Sequence, residues 1–380
     1  AAGGVTDDRS LTLTGTGEPG AAVAVYLDGS STPAGSVVVD EEGNWTLVLP
    51  SLGDGDHSYQ TKITDAAGNE TRGEVVNFTV DASSVELTID QANDNVGSLT
   101  GAVLNGGLTD DSTPELQGTT LAGATVTIKN GEGTVLGTAV ADGQGHWTFQ
   151  LPEVADGEHT WTAEVTNPAG NTAQATITLT VDSTPPAAPV ITSFGDDVGS
   201  IQFSSPVQGN VTDDPAPTFT GTAEAGATVT VYDGDKVLGS VVADKDGNWS
   251  YTPTTNLIEG THSITATATD AAGNVSEPSD NWGFILDITP PNVGISGNSA
   301  ESLSGMSEPG ATITVVDGTG KEYTAVADQS GHWIIAPNPI EPGVSGTIYA
   351  TDPAGNKGEP VSFQGAALGS YDLMNESTQV

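Results

Sequence analysis

Four tryptophans keep step along this chain, and that periodicity limits its fold more than any other feature. "EEGNWT" (41–46), "GQGHWT" (143–148), "KDGNWS" (245–250) and "QSGHWI" (329–334) align on Trp45, Trp147, Trp249 and Trp333, spaced by 102, 102 and 84 residues. An acidic hexamer moves with them: "TDAAGN" (64–69), "TNPAGN" (166–171), "TDAAGN" (269–274) and "TDPAGN" (351–356). A third marker precedes both, as "GTGEPGAAVAV" (15–25), "GTTLAGATVTI" (118–128), "GTAEAGATVTV" (221–231) and "GMSEPGATITV" (305–315). A fourth, "DGDHS", "DGEHT" and "EGTHS", ends at 58, 160 and 263 and is missing from the last unit. Self-similarity at fixed spacing means tandem units. The expected units are 1–83 (with its first strand truncated), 84–184, 185–288 and a shortened 289–364, with a tail over 365–380.

Each unit reads as strands. In "GATVTVYDG" (226–234), Ala227, Val229 and Val231 alternate with Thr228, Thr230 and Tyr232. Period two marks a strand with one buried face, and Thr and Val suit a half-buried pleated surface. Turn residues punctuate at short intervals as EPG, DGD, KDGN and AAGN. The third unit predicts strands over 189–194, 217–224, 227–233, 237–243, 248–252, 262–269 and 281–287. About seven strands per ~100 residues point to an immunoglobulin-like sandwich, with one Trp per unit anchoring the core. The fold class is therefore all-β: immunoglobulin-like β-sandwich domains in tandem, head to tail as a rod. A closed barrel or propeller is the alternative.

Charge narrows the function. The 380 residues hold 50 Asp and Glu against 8 Lys and Arg, a net charge of −42. Such a chain repels nucleic acid and anionic membranes, so neither is an expected partner. With no cysteine, disulfides play no part. No apolar run approaches membrane-spanning length. No signal peptide opens the chain, and "AAGGVTDDRS" reads like the middle of something longer.

The acids fall in the loops. In an up-and-down sandwich, alternate loops lie at opposite poles. In the third unit the pole where the last strand exits receives "GDDVG" (195–199), "TDDP" (212–215), "DGDK" (233–236) and Asp287; the entry pole receives "DKDGN" (244–248) and the hexamer. Stacked head to tail, two acidic poles meet at each joint. Bare carboxylates there repel, and Ca²⁺ reverses that sign, since it takes six to eight oxygen ligands from carboxylates, carbonyls and water. Magnesium wants a tighter octahedron, and zinc wants His or Cys.

Three joints are expected. Asp7, Asp8 and Asp81 face Asn167 and Asp142. Asp94, Asp110, Asp111 and Asp182 face Asp270 with Asp244 or Asp246. Asp196, Asp197, Asp213, Asp214 and Asp287 face Asp352, with Asp328 nearby. Asp65 points toward a preceding unit. Asn167 breaks the pattern, which makes the first joint the weakest or the poorest in charged ligands. For Asp142, Asp244, Asp246 and Asp328 a plain hairpin turn competes with a ligand role.

The ordered combination of "TDD", "GT.E.GATV", "D..GNW", "DG.H" and "TDAAGN", followed by "VDSTPP" or "LDITPP", resembles the bacterial Ig-like repeats of giant type I-secreted, non-fimbrial adhesins. The resemblance covers nearly all of residues 1–364. It implies a bacterial surface fibre stiffened by calcium and used for adhesion to host cells, with a host-surface receptor or glycan as the partner of the full-length protein and this fragment a monomer. The matching positions are Asp65, Asp270 and Asp352 in the hexamer, with Asn167 departing. They also include Asp7, Asp8, Asp110, Asp111, Asp213 and Asp214, plus strand-end Asp182 and Asp287.

Two other readings stay open. A carbohydrate-binding module needs an exposed aromatic platform, for which Trp161 and Trp282 are candidates outside the repeat pattern, although a core role competes. A non-catalytic spacer of a large secreted enzyme needs nothing further. No nucleophile elbow such as G-x-S-x-G appears, so the expectation is a protein that is not an enzyme.

Overall fold

The alternation of apolar and polar residues becomes strands throughout. The structure, a computed structural model, describes residues 3–205 and 207–366, and every regular element among them is a β-strand. Residues 367–380 of the expected tail lie outside the described residues. The chain divides into two compact units, Ala1–Thr184 and Pro185–Val380, each holding two of the tandem repeats.

The third repeat shows the design. One sheet has four strands in the order Phe203–Ser205, Val190–Asp196, Thr218–Thr222, Asn248–Tyr251. The other has five, in the order Val211–Thr212, Trp282–Leu286, Gly260–Thr269, Thr228–Asp233, Lys236–Val242. Phe194, Phe219 and Trp249 of the first sheet pack against Val229, Ile264 and Phe284 of the second in one buried cluster. This is a sandwich with apolar inner faces and polar outer faces. Two strands exceed the seven expected. Phe203–Ser205 forms a hairpin on the first strand, and Val211–Thr212 crosses to the other sheet to run parallel to its last strand. The second repeat repeats this plan, with Gly101–Val103 and Leu108–Thr109 in those two places.

In the first repeat Thr12–Thr16 pairs with Asn44–Val48. In the fourth, Val293–Asn298 turns directly into Leu303–Ser307, so the crossing segment and its "TDD" loop are gone.

The "GT" marker and the Trp are one feature. Gly15, Gly118, Gly221 and Gly305 lie directly opposite Trp45, Trp147, Trp249 and Trp333 on paired strands. A Cβ on Gly221 would strike the Val190 carbonyl and stand 2.5 Å from the Trp249 ring. Only glycine leaves room for the indole to lie across the neighbouring strand. Each indole is almost wholly buried and its Nε1 has no hydrogen-bond partner, so packing alone holds it. At about 25 cal/mol per Å², an aromatic burying about 150–250 Å² contributes ~4–6 kcal/mol.

Candidate functional site

The segment that crosses between sheets builds the acidic exit pole. In the third repeat Asp196 ends the first strand and Thr212 ends the short parallel strand. Thr212 Oγ1 donates to Asp196 Oδ2 (2.6 Å), and the Asp214 amide donates to Thr212 Oγ1 (3.0 Å). Asp214 Oδ1 accepts the Ala216 amide, and Asp196 Oδ1 accepts the Val198 amide. Gly199, at φ 63°, lets the chain pass so close over Asp213 that any side chain there would collide with its carboxylate. The second repeat reproduces the arrangement: Thr109 donates to Asp94 (2.5 Å), the Asp111 amide to Thr109, and the Thr113 amide to Asp111. Asp94, Asp110, Asp111, Asp196 and Asp214 are all buried. In the first repeat the Asp8 amide donates to Thr6 Oγ1 and Asp8 Oδ1 accepts the Ser10 amide, and Asp7 and Asp8 are exposed. Strand-end Asp81, Asp182 and Asp287 tie back through their amides to the carbonyls of Thr6, Thr109 and Thr212.

The hexamer is a loop closed by its own second residue. Asp352 Oδ1 accepts the amides of Gly355 and Asn356, and its Oδ2 accepts Asn356 Nδ2. Asp65 and Asp270 do the same with Asn69 and Asn274. Asn167 Oδ1 accepts the amides of Ala169 and Asn171 at 3.0 and 2.9 Å. The loop needs an oxygen acceptor at this position rather than a charge, which is why Asn substitutes for Asp.

Within each unit the hexamer loop docks on the repeat before it. In the first unit Asn171 Nδ2 donates to the Asp81 carbonyl (2.8 Å), and the Asp7 amide donates to the Ala169 carbonyl (3.1 Å). In the second unit Asn356 Nδ2 donates to the Asp287 carbonyl (2.7 Å), and Ser200 Oγ donates to the Gly355 carbonyl (2.7 Å). The hexamer asparagine, which the sequence reading passed over, is the side chain that bridges the repeats.

The two joints differ in charge. Asp352 is 2% exposed. Burial, reinforced by the neighbouring charges of Asp196, Asp352 and Asp214, pushes the Asp213 carboxyl above the usual carboxylate range. Its Oδ1 is buried with no hydrogen-bond partner. Burial likewise raises Asp214. Glu308, from the "SEPG" marker, is raised by desolvation and by Asp287, Asp352 and Glu259. It is an acid of this joint that sequence reasoning left out. In the first unit the counterparts of Asp352 and Glu308 are neutral: Asn167, and Leu121, which is half exposed.

The donor set of the joint between repeats three and four suits calcium: several carboxylates, one with a buried oxygen left over, beside loop carbonyls. Among the described residues, however, no three acid or histidine side chains already stand as a metal cage. Many of the carboxylate oxygens are turned to backbone amides instead.

The remaining candidates resolve into turns and core. Asp142, Asp244 and Asp328 each accept two amides of their own "D..GN/HW" turn, and Asp246 pairs with Lys245 at the surface. These bonds are those of a hairpin turn. Trp161 and Trp282 are 2% and 5% exposed, so they offer no aromatic platform to a sugar. The histidines of the fourth marker are also structural. His57 joins Asp28 through Nδ1 (2.9 Å) and the Gly53 carbonyl through Nε2 (2.9 Å). His262 joins Asp233 and the Ile258 carbonyl in the same way and stacks on Phe284.

Sandwich repeats docked end to end within each unit define a class: tandem immunoglobulin-like domain proteins. The chain belongs to the bacterial Ig-like domain family, which matches residues 1–82, 86–183 and 192–288; the bacterial Ig domain family matches 289–366. No curated protein matches the sequence. Among solved structures it is similar to a tetra-tandem repeat in the extending region of a large adhesion protein, at 21% identity and a TM-score of 0.30, covering 96% of this chain and 98% of that one. It is also similar to a 1.5-MDa bacterial ice-binding adhesin at 20% identity and a TM-score of 0.30, covering 73% and 91%. Fibronectin(III)-like modules of Clostridium thermocellum CbhA match at 17% identity and a TM-score of 0.34, covering 53% and 94%.

Proposed function

We propose that this chain is an extender segment of a bacterial surface adhesin, non-catalytic, whose acid-rich joints take calcium. Within the bacterial Ig-like class its motif order most resembles the repeats of the Salmonella adhesin SiiE, with the biofilm protein BapA next. The carrying observation is Asp213. Its buried Oδ1 has no partner and its carboxyl lies under the charges of Asp196 on its own repeat and Asp352 on the next. An uncompensated group of this kind calls for a counterion.

Asp196, Asp213, Asp214, Asp287 and Asp352 would hold the ion, with Asp197 and Glu308 at the margin. By the same loop chemistry Asp94, Asp110, Asp111 and Asp182 form a second acidic pole in the first unit. Calcium would supply a charge that turns repulsion between the acids of repeats three and four into attraction. The protein's own contribution is to fix the loops that present those oxygens. Extracellular modules bind calcium at about 10⁻⁴–10⁻³ M, so a site of this strength fills outside the cell and empties within it. The chain would then pass through secretion flexible and stiffen on exit, placing a receptor-binding tip at a distance from the cell. The test is small-angle scattering of the whole chain with calcium and with EGTA. The maximum dimension falls on chelation if the reading holds, and an unchanged dimension rejects it.

A further inference from the structure

We propose that the second repeat carries a binding site for a lysine side chain of a partner protein, opened by Asn130 where the third repeat has an aspartate. The site lies wholly within the second repeat and does not depend on calcium at the joints.

Each of the first three repeats places a histidine near the start of its long strand. His57 and His262 have both ring nitrogens occupied: Nδ1 by Asp28 or Asp233, and Nε2 by the carbonyl of Gly53 or Ile258. His159 keeps the second bond, from Nε2 to the Ala155 carbonyl at 2.7 Å. One residue removes the first. Asn130 lies opposite Trp161 on the paired strands, as Asp233 lies opposite Ile264, so Asn130 holds the position of Asp233. Its side chain is drawn into its own turn, where Oδ1 accepts the amides of Glu132 (3.1 Å) and Thr134 (2.9 Å). Among the described residues nothing bonds His159 Nδ1. A carbonyl can only accept, so the hydrogen of the neutral ring sits on Nε2 and Nδ1 is left as an acceptor.

His159 and Asn130 line a cavity of about 480 Å³ between the turn 130–134 and the loop 152–158. Leu136, Val154 and Trp161 give it an apolar wall; the first two are half-buried on the core, and the Trp161 ring stacks with that of His159 at 5.7 Å. Glu132, Glu153 and Glu158 line it as well and are exposed. The lysine next in sequence to Asn130, Lys129, is committed to Glu164. The cavity therefore combines hydrogen-bond acceptors and negative charge with an apolar wall. A lysine side chain matches both: its stem covers apolar surface while its ammonium donates to acceptors. An anion is repelled by the three glutamates. A free amino acid brings a carboxylate to the same acids, which favours a side chain held in a peptide. A metal ion finds no cage, since among the described residues no three acid or histidine side chains form one. The net charge of −42 adds long-range attraction for a basic partner.

The chain has five histidines, so their ring resonances can be followed individually by NMR. The full chain is titrated with Nα-acetyl-lysine N-methylamide, and separately with the norleucine counterpart, which keeps the stem and lacks the charge. The lysine probe should shift the His159 ring alone, saturably, with a Kd of about 1 mM for a ligand of this size. The norleucine probe should bind about ten-fold more weakly, as loss of a charged hydrogen bond implies. Asn130→Asp should weaken the lysine probe by a similar factor. One oxygen of the new carboxylate keeps the turn and the other engages His159 Nδ1, as Asp233 engages His262. Diffuse attraction to an acidic surface predicts the opposite, because this variant adds a negative charge. The proposal is overturned if the His159 ring stays still, if both probes move it equally, if all five rings move together, or if Asn130→Asp binds as well as wild type. A His159 shift that saturates with zinc but not with the lysine probe also overturns it and makes the cavity a metal site.

Discussion

Replacing Asp213 by Asn should change the second unit's stability in opposite directions with and without calcium. Without the cation the wild-type carboxylate is a cost: its Oδ1 is buried without a partner, and Asp196, Asp352 and Asp214 bear on it. A buried unsatisfied polar group costs about 1–3 kcal/mol, more when charged. Removing the charge while keeping the shape should recover ~1–2 kcal/mol of that. For a repeat of this size each kcal/mol moves Tm by about 4–8 °C, so in EGTA the variant melts visibly higher than wild type. With calcium the order reverses. A ligand at a hundred times its Kd stabilises by about 2.7 kcal/mol, and the variant forfeits most of that gain. Differential scanning calorimetry of both proteins in both conditions gives four melting profiles and one sign test. If Asp213→Asn melts lower in EGTA as well as in calcium, the carboxylate is a structural hydrogen-bond partner and the counterion argument fails.

Three further outcomes follow from the geometry. Gly221→Ala drives a methyl into the Val190 carbonyl and the Trp249 ring; overpacking of this kind costs about 1–3 kcal/mol, read as a lower Tm of the third repeat with calcium response retained. In the first repeat the hydrogen bond that His57 donates to Asp28, joined by the one it donates to the Gly53 carbonyl, raises the His57 pKa. Burial alone would raise Asp28, but hydrogen bonds from His57 and the Ser58 amide prevail and lower it. The raised His contributes stability present below its unfolded value near 6.5 and lost as pH climbs through the folded one; the lowered Asp contributes above about 3.8 and loses it as pH falls further. The stability difference between wild type and His57→Gln should therefore be largest from about pH 4 to 6.5 and shrink on either side in thermal melts, and a flat difference over pH 3–9 contradicts the pairing. Asn167→Asp, which keeps the loop's oxygen acceptor, should melt close to wild type, whereas Asn167→Ala, which removes it, should lower the Tm of the second repeat by about 4–8 °C; equal melts for the two variants would mean that the acceptor does not close the loop.

Much of this architecture was legible in the chain. Period-two alternation in "GATVTVYDG" gave the strand Thr228–Asp233, and the Trp spacing gave one core per repeat. Segregation of Asp to alternate loops put Asp213 and Asp352 within electrostatic reach of each other. What the sequence reading missed lies in side-chain direction. Asn171 and Asn356 looked like turn residues, and they are, yet their Nδ2 groups also leave the loop to reach the preceding repeat. That depends on how two loops from distant segments meet. Glu308 looked like part of a "SEPG" turn, and only the placement of that turn beside Asp287 and Asp352 makes it an acid of the joint. The short strands Leu108–Thr109 and Val211–Thr212 are too brief for any periodicity, although Thr109 and Thr212 orient Asp94 and Asp196. The Gly–Trp pairing was visible as two separate markers, and strand register alone joins them.

The central claim is that the acids between repeats three and four bind calcium, and direct titration tests it. Isothermal calorimetry of the full chain with calcium should give saturable binding with an apparent Kd at or below about 1 mM. Asp352→Asn should remove the component that belongs to this joint. Binding that does not saturate at calcium well above that range, or that is identical in wild type and Asp352→Asn, would contradict the account.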